Sequence, residues 1–326
     1  DTLNNLDQLG YAEMTPIQAA SLPLALAGQD VIAQASTGSG KTAAFGLPLV
    51  EKLTANFHAV QALVLCPTRE LADQVTTEIR RLARATANIK VVTLCGGVAL
   101  RGQEQSLQHG AHVVVGTPGR ILDHLTCGNL RLDSVKTLVL DEADRMLDMG
   151  FFDDMKQLIQ QCPPKRQTLL FSATYPEGIA KLSAQFMRDP QTVKVQTVHA
   201  ADKIKQLFYE VREDERLLAV SLLLNHFRPE STLAFCNTKQ QCRELLAVLQ
   251  AQGFDALALY GELEQRERDQ VLVQFANRSC SVLVATDVAS RGLDISQLNA
   301  VINVDVTPDA EIHIHRIGRT GRADAQ

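Results

Sequence analysis

Short apolar runs rich in β-branched residues recur along the chain, separated by stretches whose apolar residues fall at helical spacing. In the first half the runs are VIAQA (31–35), ALVLCP (62–67), VVTLCGG (91–97), HVVVGTP (112–118), TLVLDEA (137–143), TLLFSAT (168–174) and VKV (193–195). They are continuous rather than alternating, the pattern of strands covered on both faces. Between them lie segments long enough for crossover helices, of which TRELADQVTTEIRRLAR (68–84) is the clearest. Strand–helix alternation of this kind predicts a doubly wound parallel sheet. The same grammar restarts with QLFYEV (206–211), TLAFCNT (232–238), ALALYG (256–261), SVLVATD (281–287) and AVINVD (300–305). Between the two series, the polar and aperiodic QTVHAADKI marks a linker. The expected architecture is α/β, with two doubly wound parallel-sheet domains at 1–195 and 206–326 joined by a short linker at 196–205.

Composition fits two soluble domains: 326 residues, 45% hydrophobic and 21% charged. No run of about 18 apolar residues occurs, so no membrane span is expected. The N-terminus has no basic stretch followed by an apolar one, hence no expected signal peptide. It also lacks an initiator Met, so a native start upstream is expected. Seven cysteines, odd in number and without a CxxC pair, argue against a disulfide framework and a structural zinc site, and point to a reducing cytoplasm. The net charge of −5 gives no bulk sign of nucleic-acid binding. Such binding would need a local arrangement of cations and backbone amides, because Trp is absent and aromatics are only 5% of residues.

Polar and glycine residues cluster at the C-terminal ends of the apolar runs, the edge at which open parallel sheets bind ligands. ASTGSGKT (35–42) follows a strand and opens a helix, the context of a phosphate-binding loop. Amides around Ser36, Thr37, Gly38, Ser39 and Gly40 can cradle phosphates, Lys41 can reach the β- and γ-phosphates, and Thr42 can ligate Mg²⁺. Ala35 stands where the general pattern has Gly. LVLDEAD (138–144) delivers acids at a strand end, Asp141 for Mg²⁺ and Glu142 to activate water. Standing alone, that acidic end could equally be a solvated turn or a helix cap. In GYAEMTPIQ (10–18), Gln18 can read an adenine edge and Tyr11 can stack on the base. HRIGRTGR (315–322) is either a solvated basic loop or a source of arginines that neutralise charge on a transferring phosphoryl group.

Taken together with PTREL (67–71), Gly96–Gly97, TPGR (117–120), SAT (172–174), QRERD (265–269) and ATDVASRGLD (285–294), in this order and over nearly the whole chain, these segments resemble the DEAD-box RNA helicases. The finer resemblance, through LVLCPTRELADQV, DEADRMLDMGF, RQTLLFSAT and LEQRERDQ, is to the bacterial DbpA type. The resemblance implies two RecA-like domains and an RNA-dependent ATPase. Tyr11 and Gln18 would select adenine. Lys41, Thr42, Asp141 and Glu142 would form the ATP–Mg²⁺ site, with Gly292 near the γ-phosphate and Asp294 near the ribose. Ser172 and Thr174 would couple hydrolysis to strand separation through Asp144, and His315 and Arg316 would bridge the domains. Arg319 and Arg322 would be arginine fingers. RNA would be held by Arg69, Gly97, Thr117 and Arg120 in the first domain and by Thr238, Arg266, Thr286 and Asp287 in the second.

DbpA-like proteins carry a further C-terminal domain that recognises a ribosomal RNA hairpin. That domain, together with the last strand and helix of the second RecA-like domain, is expected to be missing from this chain. The implied function is local, non-processive unwinding of short RNA duplexes by a cytoplasmic monomer in large-subunit ribosome assembly. The rivals are an ATP-gated RNA clamp with little unwinding, a DNA-directed motor, and a fragment inactive because its second domain is incomplete.

Overall fold

The computed structural model describes residues 2–35, 38–86, 88–195, 204–287, 298–307, 310–317 and 320. The chain divides into two units, Asp1–Thr197 and Val198–Gln326. Residues 196–203, most of the expected linker, lie outside the described residues.

In the first unit every expected strand forms: β1 Val31–Gln34, β2 Ala62–Leu65, β3 Val91–Leu94, β4 Val113–Gly116, β5 Thr137–Leu140, β6 Gln167–Ser172 and β7 Gln191–Lys194. They pair in parallel in the order β3-β4-β2-β5-β6-β1-β7. The central strands β2, β4, β5 and β6 are buried along their whole length, as their unbroken apolar runs require. At the edge, β7 buries only Val193 and leaves Gln191, Thr192 and Lys194 exposed. The helices are α1 Thr2–Gln8, α2 Pro16–Leu26, α3 Lys41–Glu51, α4 Arg69–Leu82, α5 Leu100–Gln108, α6 Pro118–Thr126, α7 Ala143–Asp148, α8 Phe152–Gln161 and α9 Glu177–Phe186. Two apolar clusters form the core, one on each face of the sheet. Phe45 of α3 meets Phe171 of β6 edge-on in the first, with centroids 5.3 Å apart, and Met146, Leu158 and Ile179 lie in the second.

Strand order decides what the rim of this sheet can do. The phosphate loop leaves β1, the SAT segment leaves β6 and the acidic segment leaves β5, three adjacent strands. PTREL, TPGR and the Gly96–Gly97 pair leave β2, β4 and β3, the other three adjacent strands. One rim therefore carries two neighbouring sets of loops, separated by chemistry.

The second unit holds β8 Thr232–Cys236, β9 Ala256–Leu259, β10 Val282–Thr286 and β11 Ala300–Asn303, parallel in the order β11-β8-β10-β9. Its helices are α10 Arg216–Phe227, α11 Lys239–Ala251, α12 Gln265–Ala276 and α13 Ala310–Ile317. The expected strand QLFYEV is corrected: residues 206–211 form no strand and are exposed throughout, Phe208 at 80%. A strand needs a ladder partner, and among the described residues β11 pairs only with β8 and β9 only with β10, so neither edge of this sheet takes up residues 206–211. No described helix is long and apolar enough to cross a membrane.

Candidate active site and nucleic-acid interface

Backbone conformation shapes the phosphate loop. Gly38 and Gly40 have φ of 80° and 89°, open to glycine at little cost. A Cβ on Gly40 would stand 2.6 Å from Nε2 of Gln18 and 2.9 Å from Oγ1 of Thr15, so the loop passes too close to α2 for any side chain. Gln18, itself buried, closes the approach: its Nε2 donates to the Gly40 carbonyl at 3.1 Å and its Oε1 accepts from Thr15 N at 2.9 Å. One amide hydrogen and one lone pair of Gln18 remain for an adenine edge. Tyr11 is half-buried and donates its hydroxyl to Glu78 of α4; burial, and next that bond, push its pKa upward. Lys41, the first residue of α3, is buried and donates Nζ to the Ala35 carbonyl at 3.2 Å. Thr42 follows it in the first helical turn, whose amides have no intrahelical acceptor. Ser39 precedes it, half-buried.

The acids follow the C-terminal end of β5. Asp141 is 2% exposed, and burial drives its pKa to about 7, against the pull of Lys41 and with a further push from Glu142. Glu142 adopts φ 50° and ψ 51°, a costly conformation for a residue with a Cβ. Its carboxylate lies 3.2 Å from Nη1 of Arg145, in an ion pair whose side chains are 5% and 7% exposed. Asp144 opens α7 and clasps the SAT segment. Its Oδ2 accepts from Ala173 N (3.2 Å), Thr174 N (2.9 Å) and Thr174 Oγ1 (2.9 Å), while Ser172 Oγ accepts from Asp144 N (3.1 Å). Burial favours the protonated Asp144, but the donors from Thr174 outweigh it and hold the pKa below the usual range.

The donor set fits a nucleotide and a divalent ion. A glycine-lined cradle at a helix start suits phosphates. Three buried acids face two buried cations, Lys41 and Arg145, and the surplus carboxylate suits a hard cation. Among the described residues, no group of three or more His, Cys, Asp or Glu could hold a metal by itself. That matches an Mg²⁺ held by one or two side chains and by substrate phosphates.

On the neighbouring half of the rim, Arg69 opens α4 and pairs with Asp73 at 3.5 Å. Gly97 is exposed with φ 79°. Thr117 holds the N-cap position of α6 without a side-chain cap bond. Arg120, three residues on, donates Nη1 to the Val98 carbonyl at 2.9 Å. In the second unit Thr238 caps α11, its Oγ1 accepting from Gln241 N at 3.2 Å. Arg266 is exposed on the first turn of α12, and Thr286 and Asp287 end β10.

Arg316 is buried within the second unit. Its guanidinium is 1% exposed, and all five N–H groups are committed inside the second unit. Nε donates to Asp287 Oδ1 (2.7 Å), Nη1 to Asn303 Oδ1 (3.3 Å) and the Asp305 carbonyl (2.9 Å), and Nη2 to Asn237 Oδ1 (2.9 Å) and Asp287 Oδ2 (2.6 Å). It also stacks over Phe235, 5.1 Å from the ring centre. Arg316 ties together the C-terminal ends of β8, β10 and β11. Ser36, Thr37, Gly292, Asp294, Arg319, Arg322 and the side chain of His315 lie outside the described residues.

Sequence reasoning passed over Arg145, Gln103, His124, Asn237 and Asn303. Arg145 stands three residues after Glu142 on one helical face, a readable spacing. Gln103 and His124 are polar residues on otherwise apolar helix faces, a faint signal. The two asparagines gave none.

The DEAD/DEAH box helicase family model matches residues 15–182, and the helicase conserved C-terminal domain matches residues 214–324. The chain is 55% identical over 321 residues to the ATP-dependent RNA helicase DbpA of Escherichia coli, covering 98% of this chain and 70% of that protein. It is 45% identical over 324 residues to the DEAD-box ATP-dependent RNA helicase CshA of Geobacillus kaustophilus, covering 99% and 69%. Among solved structures, Saccharomyces cerevisiae Dbp5 bound to RNA and ADP BeF3 superposes with a TM-score of 0.88 at 32% identity, covering 99% of this chain and 84% of that one.

Proposed function

The chain belongs to the DEAD/DEAH box helicases, and on that ground we propose that it opens short RNA duplexes locally and non-processively, in the assembly of the large ribosomal subunit. It is an ATP-dependent RNA helicase. The observation that carries the finer reading is the division of one sheet rim. Nucleotide loops leave β5, β6 and β1, nucleic-acid loops leave β2, β4 and β3, and the Asp144–Thr174 clasp sits within the nucleotide half.

In this reading Gln18 holds the adenine, the loop amides and Lys41 hold the phosphates, and Glu142 takes a proton from the attacking water. Thr42 and Asp141 would hold Mg²⁺, which neutralises phosphate charge when bound. Asp144 passes the state of the nucleotide to Ser172 and Thr174. The RNA-facing set, rich in Thr, Gly and Arg, suits phosphates and 2′-hydroxyls better than base edges, so the core binds RNA without reading its sequence. Arg319 and Arg322 would add positive charge at the γ-phosphate, favouring a closed state that grips RNA, and loss of that phosphate would release it. The ribosomal role is supported by the DbpA-type segments and by identity to a DbpA protein. A monomeric, cytoplasmic enzyme fits the same relationship.

Strand displacement tests it. Short RNA duplexes should be opened with ATP, and long ones should resist. Processive opening of long duplexes from one end would refute local action, and RNA-stimulated ATPase without displacement would favour the clamp. Glu142→Gln should keep ATP and RNA binding and lose turnover, because the amide preserves shape but cannot accept the proton. Normal steady-state hydrolysis in that variant would remove Glu142 from its role.

A further inference from the structure

The nucleic-acid half of the rim is held by a buried polar hub assigned no role so far. Gln103 of α5 is 9% exposed and His124 of α6 is fully buried. Gln103 Nε2 donates to the Cys95 carbonyl at 2.8 Å, where β3 runs into the Gly96–Gly97 turn. With its amide nitrogen so used, its Oε1 accepts twice: from Arg120 Nη1 at 3.1 Å and from His124 Nε2 at 3.0 Å. His124 is therefore the neutral Nε2–H tautomer. Arg120 Nη1 donates in addition to the Val98 carbonyl, on the far side of the same turn. One amide thus fixes both ends of the Gly96–Gly97 turn and the first turn of α6.

The backbone completes the frame. Thr117 N donates to the Leu94 carbonyl at 3.1 Å, and a Cβ on Gly116 would fall 2.0 Å from that oxygen, so β3 and β4 leave the sheet in contact. Of the Arg120 guanidinium, Nη1 is spent on the hub and Nε faces Asp123 at 3.4 Å. Nη2, with two N–H groups, has no partner among the described residues. The hub aims Arg120 by holding one side of its fork and leaving the other outward.

We propose that Gln103 and His124 are positioning residues for RNA: they preorganise Gly97, Thr117 and Arg120 so that the strand meets a surface already ordered. This rests on reading those three residues as RNA contacts. Preorganised sites gain affinity by avoiding the ordering cost at the moment of binding. A buried glutamine with three polar partners is otherwise an expensive way to fill the space under two loops.

The test compares Gln103→Leu, His124→Leu, His124→Gln and Arg120→Ala in the full chain, measuring half-saturation by unstructured RNA and by ATP together with thermal stability. Gln103→Leu should raise the RNA half-saturation about tenfold, the scale of a lost charge-assisted hydrogen bond, and leave ATP half-saturation within about twofold. His124→Leu should act in the same direction. His124→Gln, which keeps an N–H donor, should recover most of the loss. Unchanged RNA half-saturation in Gln103→Leu and His124→Leu, with Arg120→Ala weakened, overturns the hub and leaves the RNA face standing. Unchanged values in all of these overturn the RNA face itself. Equal losses for RNA and ATP reduce Gln103 to a structural residue, and if Gln103→Leu does not fold, the two His124 variants decide the matter alone.

Discussion

Asp141 has a folded-state pKa near 7 because it is buried and faces Glu142, while Lys41 and the hydrogen bond from the Glu142 amide pull the other way. Its ordinary value is 3.8. Between these two values the folded chain holds a proton that the unfolded chain releases, so stability falls as pH rises through that window. Asp141→Asn keeps the oxygen that accepts from the Glu142 amide and removes the charge. In chelator and without nucleotide, it should melt higher than the parent near neutral pH, with the gap closing towards pH 4. It should also lose Mg²⁺-dependent hydrolysis. Thermal melts across that range decide it: a parent whose stability does not fall with pH, or an Asn variant no more stable, would remove the strain assigned to this carboxylate. Asp144 shows that burial alone does not set the outcome. Also buried, it is held below the usual carboxylate range by the donors from Thr174 together with the charge of Lys41.

Elements were legible where a strand is covered on both faces, because the apolar run is then its own signal. All seven apolar runs in the first unit became strands, although β7 at the edge buries only Val193, and so did four in the second. The QLFYEV run misled because its composition is strand-like while its partner is not supplied by local sequence. Motif glycines, the phosphate lysine and the acids could be read from spacing, since each follows a strand end. The contacts that hold those ends could not, because they join residues far apart in sequence: Gln103 to His124, and Arg316 to Asn237. Arg316 gives the prediction at this scale. Lysine has three donors on a point charge and cannot match a planar fork with five acceptors. Arg316→Lys should leave at least two of the acceptors at Asp287, Asn237, Asn303 and Asp305 without their donor, lose the stacking over Phe235 and destabilise the second unit by about 2–4 kcal/mol. ATP binding, for which Gln18, Lys41 and Thr42 of the first unit are proposed, should be retained. A melt indistinguishable from the parent would show that the β8, β10 and β11 ends do not depend on this side chain.

At the scale of the whole molecule the two units divide the labour unequally. The first carries the proposed nucleotide loops and one proposed set of RNA-facing residues on a single rim. The second contributes the Thr238, Arg266 and Thr286 set and the HRIGRTGR segment. In the proposed mechanism, RNA stimulation of hydrolysis draws on something from the second unit that matters more in the transition state than in the ground state, and Arg319 is the residue proposed to supply it. Removing a group that acts on developing charge lowers turnover without weakening ground-state binding. Arg319→Ala should therefore lower RNA-stimulated turnover by about 10³-fold, the scale known for arginines of this kind, while ATP half-saturation and RNA affinity without nucleotide stay close to the parent. Single-turnover hydrolysis at saturating RNA separates the cases. A loss confined to the hydrolysis rate supports the assignment. A loss confined to ATP affinity makes Arg319 a ground-state contact, and an unchanged rate means that hydrolysis is completed by the first unit alone.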